Sequence, residues 1–296
     1  MSLIDSIGSA QEFATLPPVA TKVLALLENE SADIREIVSV IETDPSLTLK
    51  ILQMANSPLY AVRGSVSSVH QSVLTLGLNR VANIVLSVSI FSKFIMLSRS
   101  ASAQYLERFW WHSSCTGMVA KALAAKIKRS FKEAEFIGGI LHDIGKMAMI
   151  QFDPANYGKM LELMNTAQIT DKEAEMQIFG VDHEAVGAVI TRLWKLPENL
   201  QAVVAHHSDP ASLKEHRELT AVIRVADILC EVWGAGIDEG IREMSLGEEN
   251  AWKVLCSSYP DLAALDIEMF TFELEEEFRS ASAFLNLIVK DPNARS

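Results

Sequence analysis

The chain has 296 residues, 49% of them hydrophobic and 22% charged, with a net charge of −12. That length supplies a sizeable core for one large domain or two moderate ones. The acidic balance excludes a surface built broadly to neutralise nucleic-acid phosphates. Cys115, Cys230 and Cys256 are scattered and form no CxxC pair, so they offer no disulfide framework and fit a reducing compartment.

The predicted elements are helical throughout. Met1 to Phe13 lacks the basic start and apolar core of a signal peptide. Pro17-Pro18 opens a helix with Val19, Val23, Leu26 and Leu27 on one face. Asp33 starts a second, carrying Ile34, Ile37, Val38 and Ile41. Asp44-Pro45 then gives an N-cap followed by proline at the first helical position. That helix should run to about Ala55, before the Asn56-Ser57-Pro58 break. Ser68 to Leu76, the Gly77 punctuation and a long buried helix from about Asn79 follow. The apolar run Val81 to Leu97 contains Asn83, Ser87, Ser89, Ser92 and Lys93. It is too short and too polar to span a bilayer, so the expected location is the cytoplasm, with no membrane contact.

Ser98 to Ala103 is small and polar, a candidate junction between two modules. Beyond it, Tyr105 to Lys128 should be one helix, and Lys132 to Leu141 a shorter one. Asp153-Pro154 starts another helix, Thr170-x-x-Glu173 has the form of a capping box, and Asp182 can cap the next. Pro197 opens a helix ending at His206-His207, and Leu219 to Trp233 forms one more. In the acidic C-terminal part, Leu274, Phe278, Ala281, Leu285 and Ile288 share a stripe that should dock on the chain's own core, a homodimer contact being the alternative. The expected domains are residues 1–100, 101–235 and a helical extension over 236–296. One basic cluster, Lys121, Lys126, Lys128, Arg129 and Lys132, reads as a solvated helix end rather than a polyanion site.

Five of the seven histidines and two aspartates fall on these helices in a suggestive order: His112, His142-Asp143, His183, His206-His207 and Asp227. Imidazole and carboxylate donors suit divalent iron, manganese, nickel or zinc, and a carboxylate can bridge two ions. Asp143 follows an apolar helix, where a buried charge needs a metal or cationic partner. Taken singly, each histidine is more readily a packed or capping residue; it is the series that points to a metal site.

That order resembles the HD superfamily of metal-dependent phosphohydrolases. Leu16-Pro17-Pro18, Asp44-Pro45, Met54 to Tyr60 and Leu76 to Arg80 narrow the resemblance to the HDOD family of bacterial signalling proteins. Leu141 to Lys146, Phe179 to His183 and Trp194 to Pro197 extend it, so that it covers about Leu16 to Trp233. The resemblance implies an all-α fold, an N-terminal helical bundle packed on an HD-type core with C-terminal accessory helices. It implies two divalent ions bridged by Asp143, one held by His112, His142 and Asp227, the other by His183 with one or both of His206 and His207. Neighbouring residues on a helix point in different directions, so the last two can split roles. Two ions about 3.5–4 Å apart can clamp both oxygens of a phosphoester displacement. Lys146 would contact the phosphate or a bound water.

Departures matter. Ser208-Asp209-Pro210 follows the histidine pair, without the Gly-Tyr-Pro signature of cyclic-dinucleotide phosphodiesterases, and Arg108 replaces an acidic extra ligand of some relatives. The expected partners are a phosphorylated small molecule or nucleotide and a signalling protein acting in trans. Three functions stay open: phosphohydrolase, non-catalytic signalling module, and mixed-valent di-iron oxygenase.

Overall fold

The computed structural model describes residues 3–9, 16–28, 33–56, 64–97, 103–237 and 245–289. These are helices and connecting turns, with no strand among the described residues. The 57–60 loop, the 98–102 junction and the side chains of Ala281, Leu285 and Ile288 lie outside what is described. By its internal contacts the chain divides into two compact units, one over residues 16–97 and one over 98–289 that also takes in the N-terminal fifteen residues with α1 (Leu3–Ser9).

The smaller unit contains α2 (Pro18–Glu28), α3 (Ile34–Glu42), α4 (Pro45–Ala55), α5 (Val69–Leu76) and α6 (Leu78–Leu97). Its helix starts are set locally. Asp33 accepts from the Arg35 N–H at 2.9 Å, Asp44 from Leu47 at 3.0 Å and Ser68 from Gln71 at 3.0 Å. Each such cap satisfies an otherwise orphaned N–H and contributes about 1 kcal/mol. Gly77, at φ 89°, ends α5 in a conformation that side chains rarely adopt. Asn56 ties two chain segments together, donating to the Leu52 and Val66 carbonyls and accepting from the Val66 N–H. The core is apolar: Ile37, Ile41, Leu47, Ile51, Val69, Val73 and Ile84 are among the residues fully or almost fully buried there.

The larger unit contains α7 (Ala103–Lys126), α8 (Ala134–Leu141), α9 (Ile144–Phe152), α10 (Pro154–Ala167), α11 (Asp171–Phe179), α12 (His183–Leu193), α13 (Glu198–His206), α14 (Arg217–Cys230), α15 (Asn250–Ser258) and α16 (Ile267–Val289). The expected caps are present at Asp153, Thr170 and Asp182, and Thr170 with Glu173 forms a full capping box. Helix α7 stops two residues short of expectation, before Lys128 turns left-handed. Helix α14 also stops early, at Cys230, and continues into a wider π turn over Glu231–Ala235 that Gly234 closes at φ 86°.

Helix α7 packs against α8, α14 and α16, and α9 packs against α12. Two of these contacts need glycine. A Cβ on Gly139 would lie 2.4 Å from the Gly117 Cα, so α7 and α8 meet backbone to backbone. A Cβ on Gly145 would lie 1.9 Å from the His183 carbonyl oxygen, so α9 meets the start of α12 equally closely. Leu274 and Phe278 are buried on α16, with Phe278 against Trp233, which makes this part of the predicted stripe a docking face on the chain's own core.

Candidate metal centre

The helix break at the His-Asp pair builds the centre. Helix α8 ends at Leu141, His142 is its C-cap, and Asp143 precedes α9, so both side chains leave the backbone where the helices change direction. Helix α7 supplies His112, α12 supplies His183, the end of α13 supplies His207, and α14 supplies Asp227. All six of these side chains are at most 2% exposed.

They form two groups that share Asp143. On one side, His112 Nε2 is 3.2 Å from His142 Nε2 and 3.1 Å from Asp227 Oδ1. Asp143 Oδ2 is 3.5 Å from His142 Nε2 and 3.9 Å from His112 Nε2. On the other side, Asp143 Oδ1 is 3.4 Å from both His183 Nε2 and His207 Nε2, which are 3.2 Å apart.

The tautomers follow from the outer partners. His112 Nδ1 lies 3.0 Å from the Ala235 carbonyl, which the π turn presents, and His142 Nδ1 lies 2.7 Å from the Gly139 carbonyl. A carbonyl only accepts, so each Nδ1 carries a proton and Nε2 is the nitrogen turned inward. His183 does the same through Glu175 Oε2 at 2.8 Å, and His207 Nδ1 faces Glu184 Oε1 at 3.5 Å. Where these inward nitrogens are unprotonated, acceptors converge on acceptors, which is repulsive unless a cation, a metal ion or a proton, stands between them. Asp143 Oδ1 and Asp227 Oδ1 lack a hydrogen bond despite full burial, and Asp143 Oδ2 meets the Lys146 ammonium at 3.0 Å. The spacing suits metal ions as well: donors about 2.0–2.1 Å from a tetrahedral ion lie about 3.3 Å from one another.

Without a metal, the carboxylates draw protons into that position instead. Burial opposes protonation of His112, but the Asp227 carboxylate outweighs it and takes the pKa up to about 9. Burial likewise opposes protonation of His183, yet Glu175 takes it to about 10. Burial pushes Asp143 toward its neutral form, and the Lys146 ammonium, with His142 behind it, holds the carboxyl well below its usual range. Asp227 is also held low, its burial outweighed by His142, His112 and Arg224. Arg224 Nη1 is 2.8 Å from the outward Asp227 oxygen.

Two predicted residues are placed differently from the rest. His206 is exposed and stands outside the cluster: at the end of α13 it points away from its neighbour His207. Lys146 does reach the centre, 3.0 Å from Asp143 Oδ2, but its ammonium is also 2.8 Å from Asp171 Oδ2. In this arrangement it serves as a buried counter-ion rather than as a group extended toward a phosphate.

Sequence reasoning missed the outer carboxylates. Asp171 and Glu175 lie four residues apart on one face of α11, next to the recognised capping box. Glu184, beside His183, accepts from the Ser208 N–H at 2.8 Å and pairs with Lys172. Burial would raise its pKa, but the His207 ring and its other partners bring it down to about 2. The i, i+4 spacing of Asp171 and Glu175 was the available signal, yet an acidic first turn normally faces water.

An all-helical unit whose interior is lined by histidines and carboxylates on separate helices defines a helical protein with a candidate metal centre. The sequence matches the HDOD domain over residues 13–210, and the chain belongs to the HDOD family. Asp227 lies beyond the matched segment. No curated protein matches significantly. Among solved structures, the chain is similar to an HDOD domain protein of unknown function from Geobacter sulfurreducens, with 23% identity, a TM-score of 0.76 and 90% of each chain covered. It is also similar to a candidate signal transduction protein from Marinobacter aquaeolei VT8, with 20% identity and a TM-score of 0.70. That match covers 97% of this chain and only 60% of the other. A candidate phosphohydrolase from Shewanella amazonensis SB2B shares 18% identity at a TM-score of 0.68, over 96% and 97% of the two chains. These likenesses concern the fold. No helix among the described residues is long and apolar enough to cross a membrane.

Proposed function

We propose that this chain is an HDOD signalling protein whose HD core holds two divalent transition ions and hydrolyses a phosphoester of a nucleotide or cyclic-dinucleotide messenger. One observation carries the reading: buried imidazole nitrogens and carboxylate oxygens converge on both faces of Asp143, where Asp143 Oδ1 and Asp227 Oδ1 have no hydrogen-bond partner. His112, His142, Asp227 and Asp143 Oδ2 would hold one ion; His183, His207 and Asp143 Oδ1 would hold the other. Imidazole and carboxylate donors suit iron, manganese, nickel or zinc. Bound ions would supply an activated water and polarise the phosphate oxygens. The chain's own part is to fix ring orientation through Nδ1 partners and to balance charge through Lys146 and Arg224. The second ion would have three protein ligands, fewer than the first, and so would keep a coordination position for water or substrate.

A second reading is a non-catalytic partner-binding module whose ions are structural or regulatory. The observation that favours it is burial: the ligand side chains are at most 2% exposed. Signal relay to a protein in trans belongs to both readings.

Metal content of untagged protein, measured beside His142→Ala and Asp143→Ala, tests the shared premise. About two transition ions per chain, lost in both variants, are expected. Protein that carries none and cannot be reconstituted would sink both readings. With two ions present, turnover of a phosphodiester panel that Asp143→Ala abolishes supports hydrolysis; an inert panel leaves the module reading.

A further inference from the structure

A second polar site lies away from the metal centre. A cavity of about 410 Å³ opens between the turn before α8 and the start of α14. Lys132, Lys214, His216 and Arg217 line it, with Phe131 and Leu219 contributing apolar wall. In a chain of net charge −12, three permanent cations and a histidine around one cavity are unusual.

Pairing separates these residues from the other cations nearby. Lys121 is 3.2 Å from Glu133, Lys126 pairs with Glu273, and Arg129 lies 3.8 Å from Glu218 while covering the Tyr259 ring. That part of the basic cluster predicted from sequence is therefore internally neutralised. The side chains of Lys132, Lys214, His216 and Arg217, by contrast, meet no acidic partner among the described residues. The cavity's one carboxylate, Glu218, is already engaged, accepting the Tyr259 hydroxyl as well as facing Arg129. Lys132 and His216 each hold a left-handed backbone, at φ 56° and 58°.

Unpaired cations on a concave surface focus positive potential, and guanidinium and ammonium donors match phosphate oxygens. The volume falls within the range of small-ligand pockets, about 300–1,000 Å³, and the mixed lining suits a molecule with an apolar portion beside its anionic group. An extended polyanion is disfavoured by the acidity of the whole chain.

We propose that this cavity binds a phosphate-bearing small molecule of about nucleotide size, through Lys132, Lys214, His216 and Arg217. The site is independent of the metal centre: Asp227 is ten residues along α14 from Arg217, about 15 Å at helical rise.

The test is calorimetric titration of the full chain with inorganic pyrophosphate and with a nucleoside diphosphate, after metal removal by chelation. Wild type, Lys214→Glu/Arg217→Glu and Asp143→Ala are compared, with circular dichroism of each as a folding control. The expected result is saturable binding of both probes, tighter for the nucleotide, weakened at least about tenfold by the charge reversal and retained by Asp143→Ala. Because chelated protein is used, this outcome stands whether or not the metal reading does. Two results would overturn the proposal: no saturable binding at millimolar probe, or equal binding by the charge-reversed variant. If circular dichroism shows the double variant misfolded, Lys132→Ala and Lys214→Ala carry the same comparison singly.

Discussion

The two units solve the problem of burial in opposite ways. The core of residues 16–97 is built from isoleucine, valine, leucine and alanine, and no charged side chain is buried there among the described residues. The unit over 98–289 buries His112, His142, Asp143, Lys146, Asp171, Glu175, His183, Glu184, His207 and Asp227. Removing such groups from water costs several kcal/mol each unless they are paired. Hydrophobic burial explains the first unit on its own. The second is explained only if its charges compensate one another and a cation completes the balance.

Metal removal should break this comparison most sharply. At a free metal concentration about 1,000 times the dissociation constant, each bound ion stabilises the folded state by about 4 kcal/mol. Chelation followed by chemical denaturation should therefore lower the stability of the 98–289 unit, with hydrogen exchange of α3 to α6 little changed. Equal loss of protection in both units would erase the distinction.

Ile51→Ala probes the other side. Ile51 is fully buried in the apolar core, and truncation there should cost about 2–5 kcal/mol. Metal content measured on the folded fraction should stay at the wild-type level.

Within the centre, Glu175→Gln should weaken the His183 side about 10–100-fold, because the carboxylate that orients the ring becomes an amide. Metal titration should show one binding step displaced and the other intact. A uniform loss of both steps would mean that Glu175 is a packing residue.

The response to pH sharpens the contrast by a smaller margin. Without metal, His112 and His183 keep their protons to about 9 and 10, above the ordinary 6.5. Their stabilising contribution is then complete below about pH 6.5 and lost as the pH rises through those values. Metal binding needs the same nitrogens unprotonated, so affinity should rise across that window, with proton release. Denaturation with and without metal at about pH 6 and about pH 8.5 should show the larger metal-dependent gain at the higher pH. The smallest expected effect is that of His206→Ala, which should leave metal content unchanged because the side chain faces solvent.

Much of the fold was legible in sequence because it is written locally. Asp33, Asp44, Ser68, Asp153, Thr170 and Asp182 each cap a helix through an N–H two or three residues away. Such bonds depend on nothing distant, so the residue types announce them. The all-α class and the order of the histidines and aspartates were likewise readable in one dimension. The end of α14 was not: its π turn is fixed by where Ala235 meets His112, more than a hundred residues away.

Tertiary structure alone decided how the site is divided. It chose His207 over His206, because only one of two adjacent side chains on α13 can face Asp143. Lys146 was claimed for Asp171 as well as Asp143, and Glu175 and Glu184 were turned from surface acids into anchors for imidazole rings. The same folding brought Lys132 beside Lys214 and Arg217, some eighty residues apart in sequence, and left them facing one cavity. Local bonding rules fix which residues begin and end a helix. Which charges meet is fixed by how helices pack, through long-range contacts such as those at Gly139 and Gly145 that residue order does not contain.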